Sequence, residues 1–315
     1  MITDSSGKSV STTLMHQAMA TLSANGKTFY WASFFLGREK AAVAALVYSC
    51  CRQLDDIADN DIRDKEDTRR ILSRIQREIV QAEPSGIHPV AALFRHLIHA
   101  NGLDAAAVSS LLDGLIQDTH LVRFSRQHEL DRYCYRVAGT VGIMMCAVLG
   151  IRDSKAAPFA IDLGIAMQLT NISRDVLEDA SLARRYLPVD IPVEALRDAS
   201  ASTRTLVAEA IELQLERAEL FYTSGIAGLA YLPRGSRVAI YLAAVLYRAI
   251  GRKLRNKGCP WWSGRVMIPM QQKLIMTILA LPVLVRILAQ GNPAPGATHN
   301  RVLHSNLKGL PCADM

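Results

Sequence analysis

The stretch that decides the fold is Gln168–Asp179, QLTNISRDVLED, which puts several oxygen-bearing side chains on an otherwise apolar helix. Four side chains follow the spacing i, i+3, i+7, i+11, which is one face of a helix: Gln168, Asn171, Asp175 and Asp179. Like charges four residues apart destabilise a helix by roughly 0.2–0.5 kcal/mol, and burying them unpaired costs far more. We therefore expect this face to meet a cation.

A second polar stripe of the same kind occurs earlier, in YSCCRQLDDIADN at residues 48–60. It contains Tyr48, Arg52, Asp55 and Asp59 at i, i+4, i+7, i+11, with Asp56 beside them. Mg²⁺ prefers oxygen ligands and usually takes one or two carboxylates together with phosphate oxygens of a substrate. Two such faces across a cavity predict a site where Mg²⁺, or alternatively Mn²⁺, holds a diphosphate.

Basic side chains near these stripes are candidates for binding the phosphates. Arg52 and Arg174 each lie beside an aspartate pair, and guanidinium groups contact phosphate oxygens in pairs. Lys27 follows Asn25-Gly26 at the start of a predicted helix, where free backbone N–H groups favour an anion. The alternative for that segment is a helix that simply packs into the core.

The whole chain predicts an all-α protein with a single domain. Its 315 residues are 50% hydrophobic and only 6% aromatic, without a sustained period-two pattern or a glycine-rich nucleotide-binding turn. We expect a disordered lead at 1–12, a helical catalytic domain at 13–290 and a flexible, Gly- and Pro-rich tail at 291–315.

Charge and cysteine usage limit the partners and the compartment. The net charge of +7 favours an anionic partner, and the absence of a recognition motif ranks nucleic acid last. The polar opening has no signal-peptide core, and the six cysteines lack metal or disulfide spacing, so we expect a cytoplasmic protein. Trp261-Trp262 and the apolar segment 268–288 predict peripheral contact with the inner face of the cell membrane, or alternatively a core helix.

A helix predicted at Glu129–Leu149 is apolar almost all round and should cross the middle of the molecule. Its small residues, which include Ala138, Gly139 and Gly142, predict a cavity in preference to very close helix contact. Loss of diphosphate from an allylic carbon leaves a carbocation, which needs dry, apolar walls. This helix suits that wall, and Tyr133 is expected to face the reacting centre.

From about Lys27 to Leu274 the chain resembles the squalene and phytoene synthases, and over Arg132–Leu187 especially the bacterial phytoene synthases. The motifs that carry this resemblance are YSCCRQLDDIADN, RYCYRVAGTVGIMM, LGIAMQLTNISRDVLEDA, RRYLP and VLYRAIGRKLRNKG followed by GRVMIP. The resemblance implies an isoprenoid-synthase-type helical bundle around a central cavity.

The resemblance also implies roles for individual residues. The expected metal ligands are Asp55, Asp56, Asp59, Asn171, Asp175 and Asp179, and the expected catalytic residues are Asp55, Asp59, Tyr133, Asp175 and Asp179. The expected substrate-binding residues are Lys27, Tyr48, Arg52, Gln168, Asn171, Arg174, Tyr247 and Arg265.

The chemistry that the resemblance implies is the head-to-head joining of two geranylgeranyl diphosphates through a cyclopropylcarbinyl diphosphate to phytoene, with Mg²⁺ and without NADPH. Two alternatives remain open: a C30 synthase of the dehydrosqualene or squalene type acting on farnesyl diphosphate, and a non-catalytic relative acting as an assembly protein. The sequence departs from the family pattern at Thr28, at Ala183 where a glycine is usual, and at Cys259–Trp262.

Overall fold

The structure is a computed structural model that describes residues 12–59, 65–81, 86–289 and 298–314. Within these ranges the chain is helical, and the isolated bridge between Arg123 and Arg185 is the one β feature found there. The predicted all-α class is confirmed. The expected disordered lead, apart from Thr12, lies outside the described residues.

The α-helices of the described residues are numbered here in chain order. They are α1 Thr12–Asn25, α2 Lys27–Ser33, α3 Arg38–Asp59, α4 Lys65–Val80, α5 Pro89–Asn101, α6 Ala105–Gln117, α7 Gln127–Cys134, α8 Thr140–Val148, α9 Ala157–Arg174, α10 Val176–Ser181, α11 Glu194–Arg197, α12 Ala201–Ala227, α13 Arg234–Asn256 and α14 Met270–Ala289.

Helix α9 is the central element, because it packs against α8, α12 and α13. Ile161, Ile165 and Leu169 on this helix are fully buried. A second apolar cluster joins α3 to α4, α5 and α6 on the other side of the molecule. The two aspartate stripes therefore lie on helices that belong to different halves of the core.

The predicted helix over 129–149 is interrupted in its middle. Tyr135–Gly139 forms a π-helical segment between α7 and α8, a local widening that is often found near functional sites. The predicted helix over 156–182 is also divided, because Asp175 leaves helical geometry at φ −104° and ψ 18°. This break separates α9 from α10, so that Asp175 lies between the two helices and Asp179 lies on α10.

The glycines of α8 and α9 serve close helix contact. A Cβ on Gly142 would lie 2.2 Å from the carbonyl oxygen of Ala160, and a Cβ on Gly164 would lie 2.2 Å from that of Ala138. Of the two explanations open from the sequence, close contact is therefore the one that the structure supports at these positions. Ala138 and Gly142 nevertheless also border the central cavity.

The C-terminal segment differs from the expected flexible tail. Residues 298–314 pack on the core, with Leu307 and Ala313 buried among residues of α7 and α9. Arg132 donates to the carbonyl oxygens of Asn306 and Lys308 at 3.2 and 3.1 Å, so polar contacts hold the segment as well. Residues 291–297 lie outside the described residues.

Helix α14 is attached along one side only. Ala280 and Leu284 pack against Val238 and Leu242 of α13, whereas Leu279 is 73% exposed. Among the described residues α14 is the one helix whose length and composition are compatible with crossing a membrane, and only 17% of it is buried. The alternative of a core helix for this segment is therefore wrong. Trp261, by contrast, is buried, so of the Trp261-Trp262 pair only Trp262 is exposed.

Candidate active site

A cavity of about 390 Å³ runs along α9 and has one polar end. That end is lined by Tyr48, Asp55, Gln168, Asn171 and Tyr247. The remaining wall is mostly apolar and comes from α2, α8, α9 and α13, with Phe29, Met145, Phe159, Leu163, Met167 and Ile240 among its residues. The cavity thus combines a polar recess with a long apolar chamber.

Helix α3 brings three of the predicted carboxylates to this end. Asp55 lines the cavity, and Asp59 accepts a hydrogen bond of 2.6 Å from a guanidinium nitrogen of Arg184. Asp56 is different, because its half-exposed carboxylate pairs with Arg52 at 2.6 Å. The helix therefore turns Asp55 toward the cavity and leaves Asp56 with a partner that is itself exposed to solvent.

The second aspartate stripe is held by arginines. The carboxylate of Asp175 accepts two hydrogen bonds from Arg174, at 2.6 and 2.5 Å, and is paired with Arg265 at 2.9 Å. Arg265 also lies 3.3 Å from Glu178. Arg265, 90 positions away in the sequence, therefore meets Arg174 and Asp175 at the break between α9 and α10.

Asp118 is a site residue that the sequence analysis missed. Its carboxylate is buried and accepts hydrogen bonds of 2.8 Å from the hydroxyls of Tyr133 and Tyr186. Its charge raises the pKa values of Asp55 and Asp179, and the charge of Asp59 raises its own pKa, so these carboxylates lie close together. Asp118 follows the apolar helix α6, and a charged residue at the end of such a helix was the signal that could have identified it.

Tyr133 was expected to face the reacting centre, but it is not among the residues that line the cavity. Its ring stacks on Tyr186 with a centroid distance of 4.6 Å and its hydroxyl donates to Asp118. The π-helical segment begins two residues later and directs Val137 and Ala138 into the cavity instead. Tyr133 thus lies outside the cavity and is connected to the carboxylates through its hydrogen bond to Asp118.

The carboxylates repel one another in the absence of cations. Burial, followed by the charge of Asp59, raises the pKa of Asp55 to about 7. Burial raises the pKa of Asp118 to about 6 against the opposing charge of Arg184. Burial and the charge of Asp175 hold the pKa of Asp179 well above its ordinary value. Excess negative charge in a buried place is a condition that bound cations relieve.

The donors at this end fit a hard divalent ion. Carboxylate and amide oxygens are the ligands that Mg²⁺ and Mn²⁺ take. Asn171 donates from its amide nitrogen to Gln168 at 3.2 Å, while its buried Oδ1 has no hydrogen-bond partner among the described residues. A free acceptor oxygen beside under-neutralised carboxylates is the arrangement expected of a cation site.

A basic group lies at another edge of the polar end. Lys27 is exposed at the start of α2, and burial together with the charge of Lys27 lowers the pKa of the Lys273 amine on α14. Phe29 stacks on Tyr247 at 5.2 Å, which joins α2 to α13 beside the cavity. Lys273 was not predicted, because nothing in its own apolar helix indicates that α14 begins next to Lys27.

Comparison with known families identifies the relatives of this chain. The model of the family "Squalene/phytoene synthase" matches residues 22–272. A 15-cis-phytoene synthase of Pantoea ananas is 31% identical over 280 residues, covering 85% of this chain and 91% of that protein. A phytoene synthase of Thermus thermophilus is 36% identical over 250 residues, covering 76% and 83%.

Solved structures agree with the fold. A dehydrosqualene synthase in complex with a ligand is 26% identical with a TM-score of 0.72, covering 87% of this chain and 97% of that one. A squalene synthase from Alicyclobacillus acidocaldarius shares the fold at 20% identity and a TM-score of 0.64, covering 78% of this chain and 92% of that one. The helical bundle around a central cavity is therefore confirmed.

Proposed function

This chain belongs to the squalene/phytoene synthase family, and from that premise we propose that it joins two geranylgeranyl diphosphates head to head in carotenoid biosynthesis, forming phytoene and releasing two diphosphates. It is a prenyltransferase of the phytoene synthase type. The observation that carries the proposal is the cavity, whose polar end is lined by Asp55, Gln168 and Asn171 and opens into an apolar chamber. Asp175, with its paired arginines, follows directly after the helix that carries Gln168 and Asn171.

The polar end would hold the diphosphate groups. Asp55, Asp59, Asp175 and Asp179, with Oδ1 of Asn171, are the proposed ligands of Mg²⁺ or Mn²⁺. A bound divalent ion draws charge off a diphosphate and makes it a better leaving group. The remaining expected ligand, Asp56, is already paired with Arg52, so we expect it to contribute less than Asp55.

The arginines have two uses at this end. Arg174 and Arg265 now neutralise Asp175, which would otherwise be an uncompensated charge at the helix break. Both guanidinium groups have the geometry to bind phosphate oxygens in a bidentate manner, and they would do so if a divalent ion neutralised that carboxylate in their place. Tyr48, Gln168 and Tyr247 line the same end, and with Lys27 at the start of α2 and Arg52 on α3 they complete the proposed substrate-binding set.

The apolar chamber has two tasks in this reaction. It binds the isoprenoid chains, and it keeps water away from the allylic cation that remains when a diphosphate leaves. Tyr133 and Asp118 lie between the two carboxylate helices, where their hydrogen bond orients the buried acid and so shapes the charge around the cation. Tyr133 therefore keeps its proposed catalytic role, exerted through Asp118.

Product analysis tests the substrate. The purified protein is incubated with Mg²⁺ and either geranylgeranyl or farnesyl diphosphate, without a reductant, and the hydrocarbons are identified by mass. We expect a C40 hydrocarbon from the longer substrate, because the small side chains of Ala138 and Gly142 in the cavity wall leave room for a longer isoprenoid chain. Only a C30 product would show the farnesyl alternative, and no diphosphate release from either substrate would show the non-catalytic one.

We propose a peripheral contact with the cytoplasmic face of the membrane as part of this function. The surface is formed by the outer side of α14 and by the turn after α2, where Phe34 is 63% exposed. Trp31 donates to Thr277 at 3.2 Å and joins these two elements. Leu36 in the same turn lines the cavity, so an apolar product would leave beside the bilayer.

Vesicle flotation tests this surface. The net charge of +7 favours anionic lipids, so we expect the protein to float with vesicles containing phosphatidylglycerol more than with phosphatidylcholine alone. The double variant Leu279→Glu, Val285→Glu should stay in the soluble fraction with unchanged activity in detergent. Equal flotation of both proteins would show that this surface does not bind lipid. A wild-type dimer that dissociates in the variant would show that the surface joins two copies of the chain.

A further inference from the structure

A second group of potential metal ligands lies outside the active site, where the C-terminal segment meets α9. Asp162 of α9 is fully buried, and its two carboxylate oxygens lie 2.8 Å from Nε2 of His299 and 2.8 Å from Nε2 of His304. Both histidine side chains are more than nine-tenths buried. None of these three residues lines the cavity described above.

Both ring nitrogens of His304 face hydrogen-bond acceptors. Its Nδ1 lies 3.0 Å from the carbonyl oxygen of Ala313, so this nitrogen carries a proton and donates it. A neutral imidazole has only one N–H, yet the opposite nitrogen faces a carboxylate oxygen, which is also an acceptor. Either a second proton or a metal ion must therefore stand between Nε2 and Asp162.

The contact with Ala313 is the kind that orients a metal-binding histidine. Such histidines usually donate their other ring nitrogen to a backbone carbonyl or a carboxylate, which fixes the tautomer and the ring. His299 is held differently, by an edge-on contact with Phe159 at 5.4 Å between ring centroids. Its buried Nδ1 has no hydrogen-bond partner among the described residues. The contact between its Nε2 and Asp162 is therefore the one hydrogen bond of this imidazole among those residues.

We propose that Asp162, His299 and His304 form a binding site for Zn²⁺ that fastens the C-terminal segment to α9. Two imidazole nitrogens and one carboxylate oxygen supply three ligand atoms, and a water or the second carboxylate oxygen at a longer distance would complete the coordination of Zn²⁺. Ligand atoms around a tetrahedral Zn²⁺ lie roughly 3.3 Å apart for bonds of about 2.0 Å, so the present spacing of 2.8 Å needs to open by about half an ångström.

The ligand set distinguishes this site from the active site. Imidazole nitrogen suits Zn²⁺ and similar transition metals, whereas Mg²⁺ prefers oxygen. Asp162 lies on the same helix as Gln168 and Asn171, so an ion here would fix the helix that carries half of the active site. It would also fix residues 298–314, which contact Arg132 and Asp131 of α7.

Zinc binding in the presence of excess Mg²⁺ is the direct test, because Mg²⁺ saturates the oxygen-only site. We expect the wild-type protein to bind one equivalent of Zn²⁺ and to show an increased melting temperature. In the double variant His299→Gln, His304→Gln, in which both amides can still donate to Asp162, the apparent affinity should fall by more than roughly 100-fold. The variant His128→Gln, which changes an exposed histidine, should bind like the wild type.

Two measurements on the wild-type protein do not depend on the variants folding. Replacing Zn²⁺ by Co²⁺ should give the intense visible absorption of a tetrahedral site with nitrogen ligands. Trypsin should cleave after the exposed Arg301 and Lys308 at least about tenfold more slowly in the zinc-loaded protein than after chelation. Failure of the wild-type protein to retain Zn²⁺, or equal binding by the double variant, would show that the group is a hydrogen-bonded clamp held by protons.

Discussion

A guanidinium nitrogen of Arg184 donates to the carboxylate of Asp59 at 2.6 Å, although 125 positions separate the two residues in the sequence. Arg184 is itself buried, and it also donates to the carbonyl oxygen of Ala58 at the end of α3. Its charge acts on Asp118 and Asp179 as well, opposing the rise of their pKa values. One buried cation thus joins the end of α3 to the turn that follows α10.

Removing this cation should destabilise the metal-free protein more than the metal-loaded one. Arg184→Gln removes the partner of Asp59, whose side chain is 39% exposed, and the charge that opposes those of the buried Asp118 and Asp179, which should cost roughly 1–3 kcal/mol. Mg²⁺ supplies positive charge to the same carboxylates and should recover part of the loss. Urea unfolding of both proteins with and without Mg²⁺ measures the difference, and Arg184→Lys, which keeps the charge, is the matched control. An equal loss with and without Mg²⁺ would contradict this role.

The stability of the metal-free protein should depend on pH in a defined direction. The pKa of Asp55 is raised to about 7 and that of Asp118 to about 6, so both hold their protons more tightly in the folded state than in the unfolded chain. Stabilisation by the protonated form is complete below the unfolded value near 3.8 and is lost as pH rises toward 7. A pKa difference of one unit between the two states corresponds to about 1.4 kcal/mol, so their joint contribution to the free energy of unfolding should fall by on the order of 7 kcal/mol over that range.

The comparison with Asp118→Asn isolates this effect from other carboxylates. At Glu219 the effect of burial is outweighed by the hydrogen bonds and charges of Arg248 and Arg252, which lower its pKa, so this group gives the opposite slope. Unfolding curves at pH 5 and pH 8 should therefore differ less in the variant than in the wild type, and Mg²⁺ should reduce the wild-type difference. An identical pH dependence in both proteins would refute the assignment.

Asp55 and Asp56 are neighbours with unequal expected effects. Asp55 lines the cavity, whereas Asp56 is half-exposed and paired with Arg52. Asp55→Asn should lower kcat by at least roughly 100-fold, which corresponds to about 2.7 kcal/mol of transition-state stabilisation, while Asp56→Asn should lower it by less than about fivefold. Steady-state diphosphate release over a range of Mg²⁺ concentrations measures both. Equal losses would make Asp56 a ligand in its own right.

Ala183 adopts a backbone conformation that suits glycine, at φ 58° in the turn that follows α10. A left-handed conformation costs a residue with a Cβ roughly 1–2 kcal/mol, partly offset by the greater freedom of glycine in the unfolded chain. Ala183→Gly should therefore raise the free energy of unfolding by about 0.5–1 kcal/mol. Ala180→Gly, inside α10, is the matched control and should lower it. Thermal unfolding that shows no gain for Ala183→Gly would mean that the turn relaxes around the alanine.

Local periodicity explains why much of the site was predictable. Asp55 and Asp59 are four residues apart on α3, and Gln168 and Asn171 are three apart on α9. An α-helix places residues at these spacings on one face whatever surrounds it. The structure accordingly finds Gln168, Asn171 and Asp55 at one end of the cavity. Asp175 was expected on the same unbroken helix, but the break after Arg174 turns it toward Arg265.

The unpredicted residues share a different property. Asp118, Arg184 and Lys273 each follow or begin an element with no periodic polar pattern, and their neighbours come from distant parts of the chain. The same is true of Asp162, whose histidine partners belong to a segment that composition marked as mobile. Gly142 and Gly164 also depend on a partner helix, because a glycine that admits a close contact and one that opens a cavity look alike in a sequence.

The amino-acid order alone established an all-helical protein with two acidic faces, because helix formation and amphipathic spacing depend on residues within a few turns of each other. The motifs established its family. The packing of α3, α6 and α10 around shared charges, the position of Tyr133 outside the cavity and the fastening of residues 298–314 to α9 emerged only from the folded chain. Those features depend on which distant surfaces meet, and that outcome rests on the summed burial and charge compensation of the whole core.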